Sequence, residues 1–382
     1  MHERGEKQMK YGIDEKHVKI IGRTLTDRGI RWFGASGSGI DFFLKARSAK
    51  LLFDGDDTTL GNTLGGPARI AIYMDGTKVR DFLLTEPQME VTLWDEKETE
   101  EKVFAAEAAK TELAPPPVQP VRITVVKLSE CSVSLMGIEA VETDDAAEIC
   151  PAPERKRKIE FIGDSITCGF GVDLEKPDTE FESRTQDFTK TYAYKTAGYL
   201  DADYGVVAFS GYGVLSGFTD NGEKNTFGLI PPLYDKIGFS NGKVRKDLTP
   251  ETAEWDFERF VPQLIVINLG TNDTCYCQTD EAKQQEFQNA YVQFLKQVRQ
   301  KNPQAKMLCI EGTMGTIMAE PMRQAVLMYR EETGDLDVYP MPLPEQLLED
   351  GLVTGNHPTE RTHEKTAQMI VPKIREIMGW IE

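Results

Sequence analysis

Ser165 is the residue whose setting first indicates chemistry. It stands in Gly163-Asp164-Ser165, directly after the apolar run at 159–162, which predicts a buried strand. A strand that ends there places the serine hydroxyl at the carboxyl edge of a sheet, where open α/β sheets bind ligands. A serine hydroxyl is a weak nucleophile until a base takes its proton. The alternative is that Asp164 or Ser165 only caps a following helix, so the chain must also supply a base and an oxyanion site.

The base must come from one of four histidines. His2 lies beside the start of the sequence, and His17 lies in a β-rich part of the chain. His357 precedes Pro358 in a turn just before the last predicted helix, so its imidazole can point into a site. His363 falls on that helix, where we expect a packing or capping role. We therefore predict that His357 is the base.

Two glycine-containing turns are candidates for an oxyanion hole, which needs donors where negative charge develops. Residues 210–213 (Ser-Gly-Tyr-Gly) follow the apolar run at 205–209, and residues 270–273 (Gly-Thr-Asn-Asp) follow the run at 264–269. Glycine lets a backbone N–H approach a substrate closely, and the Asn272 carboxamide can donate. Each turn alone is ordinary. Both follow strands of the same predicted sheet as the serine, so all three are expected to meet at one edge.

Two domains are expected, because the spacing of apolar residues differs between the two parts of the sequence. Residues 1–145 alternate apolar and polar side chains in short runs, which predicts an all-β jelly roll or sandwich. Asp75-Gly76 between two such runs predicts a type I′ hairpin turn. Residues 146–156 have no apolar period and are predicted to be a linker, and residues 157–382 form the second domain.

The second domain is predicted to be an α/β structure. Apolar runs at 159–162, 205–209, 264–269 and 307–310 alternate with helical patterns such as residues 284–301. Strands that alternate with helices predict a parallel sheet covered on both faces.

Composition excludes several classes of partner. The chain has 62 acidic and 44 basic residues, for a net charge of -18, which disfavours nucleic acid and anionic membrane surfaces.

The first residues are charged and show no signal peptide, so a cytoplasmic location is expected, with imported oligosaccharides as substrates. Six scattered cysteines are then expected to be reduced. Cys275 and Cys277 lack a second cysteine or histidine pair nearby, so no zinc site is predicted.

The motifs together resemble the four blocks of the SGNH (GDSL-type) hydrolases. The blocks are Gly-Asp-Ser at 163–165, the glycine turn at 211–213, Gly-Thr-Asn-Asp at 270–273 and His-Pro at 357–358, within about residues 157–380. The resemblance implies a flavodoxin-like α/β/α fold and a serine hydrolase without metal or organic cofactor. It implies that Ser165 is the nucleophile and His357 the general base. The Ser165 N–H, the Gly213 N–H and the Asn272 side chain would form the oxyanion hole, with Gly213 chosen over Gly211 from its spacing after the preceding strand.

A jelly roll ahead of such a domain is similar to carbohydrate esterase family 2. Residues 255–257 ahead of the block at 268–273, and residues 362–365 after the histidine block, are also similar to that family. This resemblance implies an O-acetyl esterase acting on acetylated xylan, glucomannan or their oligosaccharides, with a homo-oligomer as an open possibility. The alternatives are a lipase or thioesterase of the same fold, or a non-catalytic carbohydrate-binding protein.

The sequence departs from the SGNH pattern at one position. Many members have an aspartate three residues before the histidine, and here that residue is Thr354. Some members of the carbohydrate esterase family use a Ser–His dyad, in which a backbone carbonyl orients the imidazole. We expect the carbonyl of Thr354 or Gly355 to do so, with the carboxylate of Asp350 as the competing hypothesis.

Aromatic side chains near the site are candidates for sugar contacts. Tyr212 and Tyr276 lie beside the two oxyanion turns, and Trp32 is a candidate from an interdomain loop of the β-domain. Trp94 and Trp255 are expected to pack in cores instead.

Overall fold

The chain folds into an antiparallel β-sandwich followed by a three-layer α/β/α structure. The computed structural model describes residues 8–61, 66–96, 119–174, 176, 178–245 and 248–381. Strands of the sandwich are β1 Met9–Gly12, β2 Lys19–Ile21, β3 Thr24–Asp27, β4 Ile30–Phe33, β5 Gly39–Lys45, β6 Ser48–Gly55, β7 Arg69–Met74, β8 Thr77–Leu83, β9 Gln88–Asp95, β10 Val121–Lys127, β11 Met136–Thr143 and β12 Glu148–Pro151.

The sandwich consists of two antiparallel sheets within the described residues. One has the order β3-β4-β11-β6-β9, with β1 also paired to β11, and the other has the order β12-β5-β10-β7-β8, with β2 also paired to β5. Alternate side chains of both sheets form one apolar core, which includes Phe42, Phe53, Trp94 and Ile123. This arrangement confirms the predicted β-rich N-terminal domain, and Trp94 packs in its core as expected.

The hairpin between β7 and β8 turns at Asp75 and Gly76. Their φ angles of 48° and 81° are both positive, as a type I′ turn requires. The predicted turn is therefore confirmed.

The segment predicted as a linker is partly a strand. β12 lies inside residues 146–156 and pairs with β5, with Ile149 opposite Leu44. β12 is an edge strand that ends at Pro151, a position where the missing N–H of proline is tolerated. Prolines are unfavourable in strands, so those of this segment favoured the linker prediction over a short strand. The division of the chain into domains stays a prediction.

The second part contains a five-stranded parallel sheet in the order β14-β13-β15-β16-β17 among the described residues. Its strands are β13 Arg157–Gly163, β14 Ala202–Ala208, β15 Leu264–Asn268, β16 Lys306–Glu311 and β17 Val338–Pro342. Numbered within this part, the order is 2-1-3-4-5, which is the flavodoxin-like arrangement. The predicted fold class is confirmed.

Helices cover both faces of the parallel sheet. They are α1 Ser165–Cys168, α2 Tyr192–Tyr199, α3 Asp273–Cys277, α4 Glu281–Lys301, α5 Ala319–Thr333 and α6 Glu360–Met378. Helices α2 and α6 pack on one face through side chains such as Tyr192 and Ile370. Helices α4 and α5 pack on the other face through Phe287 and Val326. Within the residues described, none of the helices has the length and apolar character needed to cross a bilayer.

Buried polar contacts join the two parts. Arg23 of the sandwich forms an ion pair with Glu160 of β13 at 3.1 Å, and both side chains are buried. The Tyr234 hydroxyl also donates to Glu160, at 2.8 Å. Lys19 pairs with Asp203 of β14 at 2.5 Å. The sandwich is therefore fixed against the amino-terminal half of the parallel sheet.

Candidate active site

Ser165 begins helix α1 at the carboxyl end of β13. Asp164 is the N-cap of this helix, and its Oδ1 accepts the Ile166 N–H at 3.0 Å. The capping role considered for Asp164 is therefore real, and it coexists with a Ser165 side chain that is directed elsewhere. Ser165 is largely buried, and its hydroxyl reaches the imidazole of His357.

The Ser165 Oγ lies 2.7 Å from Nε2 of His357. The other ring nitrogen, Nδ1, lies 2.9 Å from the carbonyl oxygen of Thr354. A carbonyl can only accept, so Nδ1 holds the proton and Nε2 is free to accept from the serine hydroxyl. Burial lowers the pKa of His357 below its usual value of 6.5, although its Nδ1–H bond to the Thr354 backbone opposes that shift. The neutral imidazole needed in a general base is favoured.

A tight turn brings the Thr354 carbonyl back to the ring of His357. The two-residue strands β18 Leu352–Val353 and β19 His357–Pro358 pair antiparallel. Between them, Gly355 and Asn356 both have a φ of 60°, a left-handed conformation that suits Gly and Asn. A Cβ on Gly355 would stand 3.3 Å from Nδ1 of His357. The turn sequence Thr-Gly-Asn therefore fixes the imidazole without a carboxylate.

The carboxylate of Asp350 faces other partners. It accepts from Lys365 Nζ at 2.6 and 2.8 Å and pairs with Arg361 Nε at 2.8 Å. The competing hypothesis, in which Asp350 orients His357, is not supported by these contacts.

Asn272 lies at the same edge of the sheet, after β15. Its Nδ2 donates to the Tyr212 carbonyl at 2.9 Å and to Asp164 Oδ2 at 3.1 Å. The structure thus joins the serine block, the glycine turn and the asparagine block through one side chain. Both Asn272 N–H groups have an acceptor, so donation to a substrate oxygen requires a shared or exchanged hydrogen bond.

The predicted donor at Gly213 needs correction. The Gly213 N–H donates to the Gly228 carbonyl at 3.0 Å. In a trans peptide, C=O and N–H point in opposite directions. The Tyr212 carbonyl points at Asn272, so the Gly213 N–H points away from it. The Gly211 N–H has no acceptor among the described residues, and its φ of 83° needs glycine. Gly211 is therefore the better candidate.

Buried carboxyl groups lie behind these donors. Burial raises the pKa of Asp164 to about 7, opposed by the Ile166 N–H, and that of Glu311 to about 8, reinforced by Asp164 and Asp273. Burial raises the pKa of Asp273 to about 6, although it accepts backbone N–H groups of the chain after Gly213. The described residues contain no cluster of three or more His, Cys, Asp or Glu placed to hold a metal ion.

The three aromatic candidates for sugar contacts occupy different settings. Trp32 is wrong as an interdomain-loop residue, because it lies in β4, is buried, and packs in the apolar cluster of the α/β part. Tyr212 is 7% exposed and packs beside Phe209 with ring centroids 5.3 Å apart. Tyr276 is half-buried, and Lys283 Nζ stands 4.3 Å from its ring centroid. None of these three offers a freely exposed ring face.

Sequence reasoning missed the aromatic side chain that contacts the dyad. Phe170 lies 4.8 Å from His357 between ring centroids, and it stacks on Phe181 at 4.0 Å. Phe170 is only five residues after Ser165, and that short spacing was the available signal. The Phe170 ring shields one side of the imidazole, and Phe181 packs behind it.

His363 is buried and lies away from the serine. Its Nδ1 accepts the Tyr192 N–H at 3.3 Å, and burial lowers its pKa to about 3. His17 lies in the sandwich and pairs with Asp14, whereas His2 lies outside the described residues. Among the described histidines, His357 is the one that contacts Ser165.

Residues 161–365 match the sequence profile of the GDSL-like Lipase/Acylhydrolase family. The chain belongs to this family. The match begins in β13 and ends in α6, so it contains Ser165, both oxyanion turns and His357. The GDSL assignment agrees with the SGNH resemblance of the sequence blocks.

Named relatives within this family are esterases. The chain is 32% identical over 230 residues to the Cellulase/esterase CelE of Acetivibrio thermocellus, covering 59% of this chain and 26% of CelE. It is 29% identical to an Acetylxylan esterase / glucomannan deacetylase of Cellvibrio japonicus, covering 61% of each chain. The matched segment thus spans less than two thirds of either relative.

A solved structure resembles nearly the whole chain. The family two carbohydrate esterase from Clostridium thermocellum, in complex with cellohexaose, superposes with a TM-score of 0.77 and 25% identity. The superposition covers 95% of this chain and 100% of that one, so the sandwich and the α/β/α part both have counterparts there.

Proposed function

We propose that this chain is a carbohydrate O-acetyl esterase that acts through Ser165 and His357. The observation that supports it most directly is the hydrogen bond of 2.7 Å between Ser165 Oγ and His357 Nε2, with Nδ1 bound to the Thr354 carbonyl. This arrangement is a nucleophile, a base and a group that orients the base.

In the first step His357 takes the proton of Ser165 while Oγ attacks the acetyl carbonyl. The resulting oxyanion accepts from the Ser165 N–H, the Gly211 N–H and the Asn272 carboxamide. The imidazolium then gives its proton to the departing sugar oxygen, and an acetyl-enzyme remains. The neutral His357 takes a proton from a water molecule that attacks this ester, and the imidazolium returns it to Ser165 Oγ as acetate leaves.

The absence of a carboxylate beside Nδ1 has a consequence for this cycle. A carbonyl dipole stabilises the transient imidazolium less than a carboxylate does. Burial also disfavours the charged ring and lowers its pKa. His357 is therefore neutral over a wide pH range. Its imidazolium form, which is needed transiently during acylation, is correspondingly less stabilised.

An acetylated xylan or glucomannan, or an oligosaccharide of either, is the proposed substrate. A neutral sugar is compatible with a chain of net charge -18. One relative's name includes acetylxylan and glucomannan, and the similar solved structure holds cellohexaose. The cytoplasmic location and the oligomeric state stay predictions.

The decisive experiment compares wild type with Ser165→Ala on an aryl acetate and on acetylated xylan and glucomannan oligosaccharides followed by NMR. We expect loss of all hydrolysis in the variant with unchanged thermal unfolding, and the NMR signals of the wild-type reaction identify the hydroxyl that is released. Hydrolysis by Ser165→Ala at the wild-type rate would refute the proposal. Covalent labelling of Ser165 by an organophosphonate separates an active esterase from a non-catalytic binding protein.

A second candidate, a lipase or thioesterase, is compatible with one further observation. Phe218 is 57% exposed, and its N–H donates to the Gly211 carbonyl at 2.7 Å, so an apolar ring lies close to the oxyanion turn. Such a ring suits either a sugar face or an acyl chain. Aryl esters of increasing acyl length decide: a higher kcat/KM on octanoate than on acetate favours the lipase.

A further inference from the structure

A carboxylate of the sandwich holds the turn that follows β14. Glu130 lies after β10 and is 1% exposed. Its Oε2 accepts the Ser210 N–H at 2.7 Å, and its Oε1 is hydrogen-bonded to the Ser210 hydroxyl. Oε2 also accepts from the Ser132 hydroxyl, and Oε1 accepts from Gln186 Nε2 at 3.2 Å. Both oxygens are thus fully engaged, and two of the four donors belong to Ser210.

The same carboxylate is joined to the helix that begins at Ser165. Gln186 Nε2 donates to the carbonyl of Cys168, the last residue of α1, at 3.3 Å. Gln186 Oε1 accepts the Glu130 N–H at 3.0 Å, which fixes the orientation of its amide. Glu130 and Gln186 therefore connect helix α1, which begins at Ser165, to the glycine turn at 210–213.

Ser210 directly precedes Gly211, whose N–H is the candidate oxyanion donor. The direction of that N–H depends on the plane of the peptide between the two residues. Glu130 holds Ser210 at both its backbone nitrogen and its side chain, so it limits how that plane can rotate. We propose that Glu130 is a positioning residue for the oxyanion hole, supplied by the β-sandwich to the hydrolase site.

Packing alone does not account for Glu130. A buried carboxylate is costly unless every lone pair is satisfied, and an apolar side chain of similar size often gives equal or greater stability. Lys127 donates from Nζ to the Glu130 backbone carbonyl at 2.9 Å rather than to its carboxylate. The side chain is therefore directed to the catalytic part of the molecule, 80 residues away in sequence.

Glu130→Gln tests the proposal, which rests on the proposed esterase function. A glutamine must turn its NH₂ toward one of two donors, the Ser210 N–H or the Gln186 amide, so one contact becomes repulsive. A displacement of about 1 Å at a catalytic group costs up to about 100-fold. We expect kcat on an aryl acetate to fall by about 10- to 100-fold, with KM changed less than about threefold.

Two further readouts separate positioning from general destabilisation. An organophosphonate places an oxygen in the oxyanion position, so its labelling rate at Ser165 should fall with kcat while the final labelling stoichiometry stays at the wild-type level. Ser132→Ala is the matched control, because it removes a donor from the same carboxylate without touching Ser210. We expect its kcat to stay within about threefold of wild type, since loss of the Ser132 hydroxyl leaves both contacts between Ser210 and Glu130 in place.

The proposal is overturned if Glu130→Gln keeps wild-type kcat, or if it and Ser132→Ala lower kcat equally. If Glu130→Gln does not fold, Ser210→Ala against Ser132→Ala decides: a lower kcat only in Ser210→Ala supports the proposal, and equal values overturn it. Ser165→Ala, measured in parallel, keeps the two questions apart. An inactive Ser165→Ala beside a fully active Glu130→Gln refutes only the role of Glu130, whereas an active Ser165→Ala refutes the esterase mechanism.

Discussion

Asp350→Asn distinguishes a dyad from a triad in this chain. The Asp350 carboxylate contacts Lys365 and Arg361, and His357 is instead bound to the Thr354 carbonyl. The substitution therefore leaves the imidazole in place. We expect kcat on an aryl acetate to stay within about threefold of wild type, compared with a loss of about 10⁴ when a true triad aspartate becomes asparagine.

The same substitution should lower stability. Asp350 itself is buried, but the side chains of Arg361 and Lys365 are 63% and 39% exposed. Breaking a fully buried pair costs about 3–5 kcal/mol, whereas exposed pairs contribute about 0–1 kcal/mol each. With one buried and two solvated partners, we expect a loss of about 1–2 kcal/mol in the free energy of unfolding.

Urea unfolding and steady-state kinetics on the same preparations measure both quantities. Activity is compared well below the onset of unfolding, so that the two effects do not mix. Thr359 offers a control for stability without charge, because its hydroxyl bonds the Asp350 backbone carbonyl at 2.9 Å. A fall in kcat of several orders of magnitude in Asp350→Asn, with Thr359→Val active, would show that Asp350 supports His357 and that the dyad is wrong.

Three further predictions concern the hydrogen bonds of the site and its surroundings. Asn272→Ala should lower kcat by about 10²–10³ with little change in KM, because it removes an oxyanion donor; a change in KM alone contradicts that role. The kcat/KM of wild type should rise with pH and reach half its plateau below pH 6.5, because only neutral His357 is a base and burial lowers its pKa; a midpoint above 6.5 contradicts this. His363 has a pKa of about 3 when folded and a usual value of 6.5, so the unfolded state binds the extra proton between these values and stability falls as pH drops below 6.5. His363→Gln should therefore reduce the loss of unfolding free energy between pH 7 and pH 5 by about 2 kcal/mol, as measured by urea titration at both pH values.

The parallel sheet was the most predictable part of the fold. The runs at 159–162 and 264–269 correspond to β13 and β15, because strands buried on both faces are apolar throughout and end at turn residues. The helix predicted at 284–301 begins slightly earlier, at Glu281, where the Asp280 carboxylate caps it. Ser165 and Asn272 each follow one of these parallel strands, so the sequence also predicted that they lie at the same edge of the sheet.

The choice between Gly211 and Gly213 shows what the sequence could not supply. Both are glycines in the same turn, and only the orientation of each peptide plane separates a free N–H from a bonded one. Trp32 shows a similar limit, because the apolar cluster that buries it is assembled from elements far apart in the sequence. The sequence around Glu130 did not indicate its contact with Ser210, because the two residues are 80 positions apart. Spacing in the sequence reports local structure, whereas these three outcomes depend on tertiary contacts.

The ion pair between Arg23 and Glu160 bears on how such genes can be recombined. A hydrolase segment cut at the start of β13 would retain Glu160 without its cation, and it would lose sandwich residues such as Trp32 and Leu135 from its apolar cluster. The unit that can be transplanted into a larger multi-enzyme chain therefore starts ahead of Arg23, and a junction between the two sheets is a poor place for a fusion.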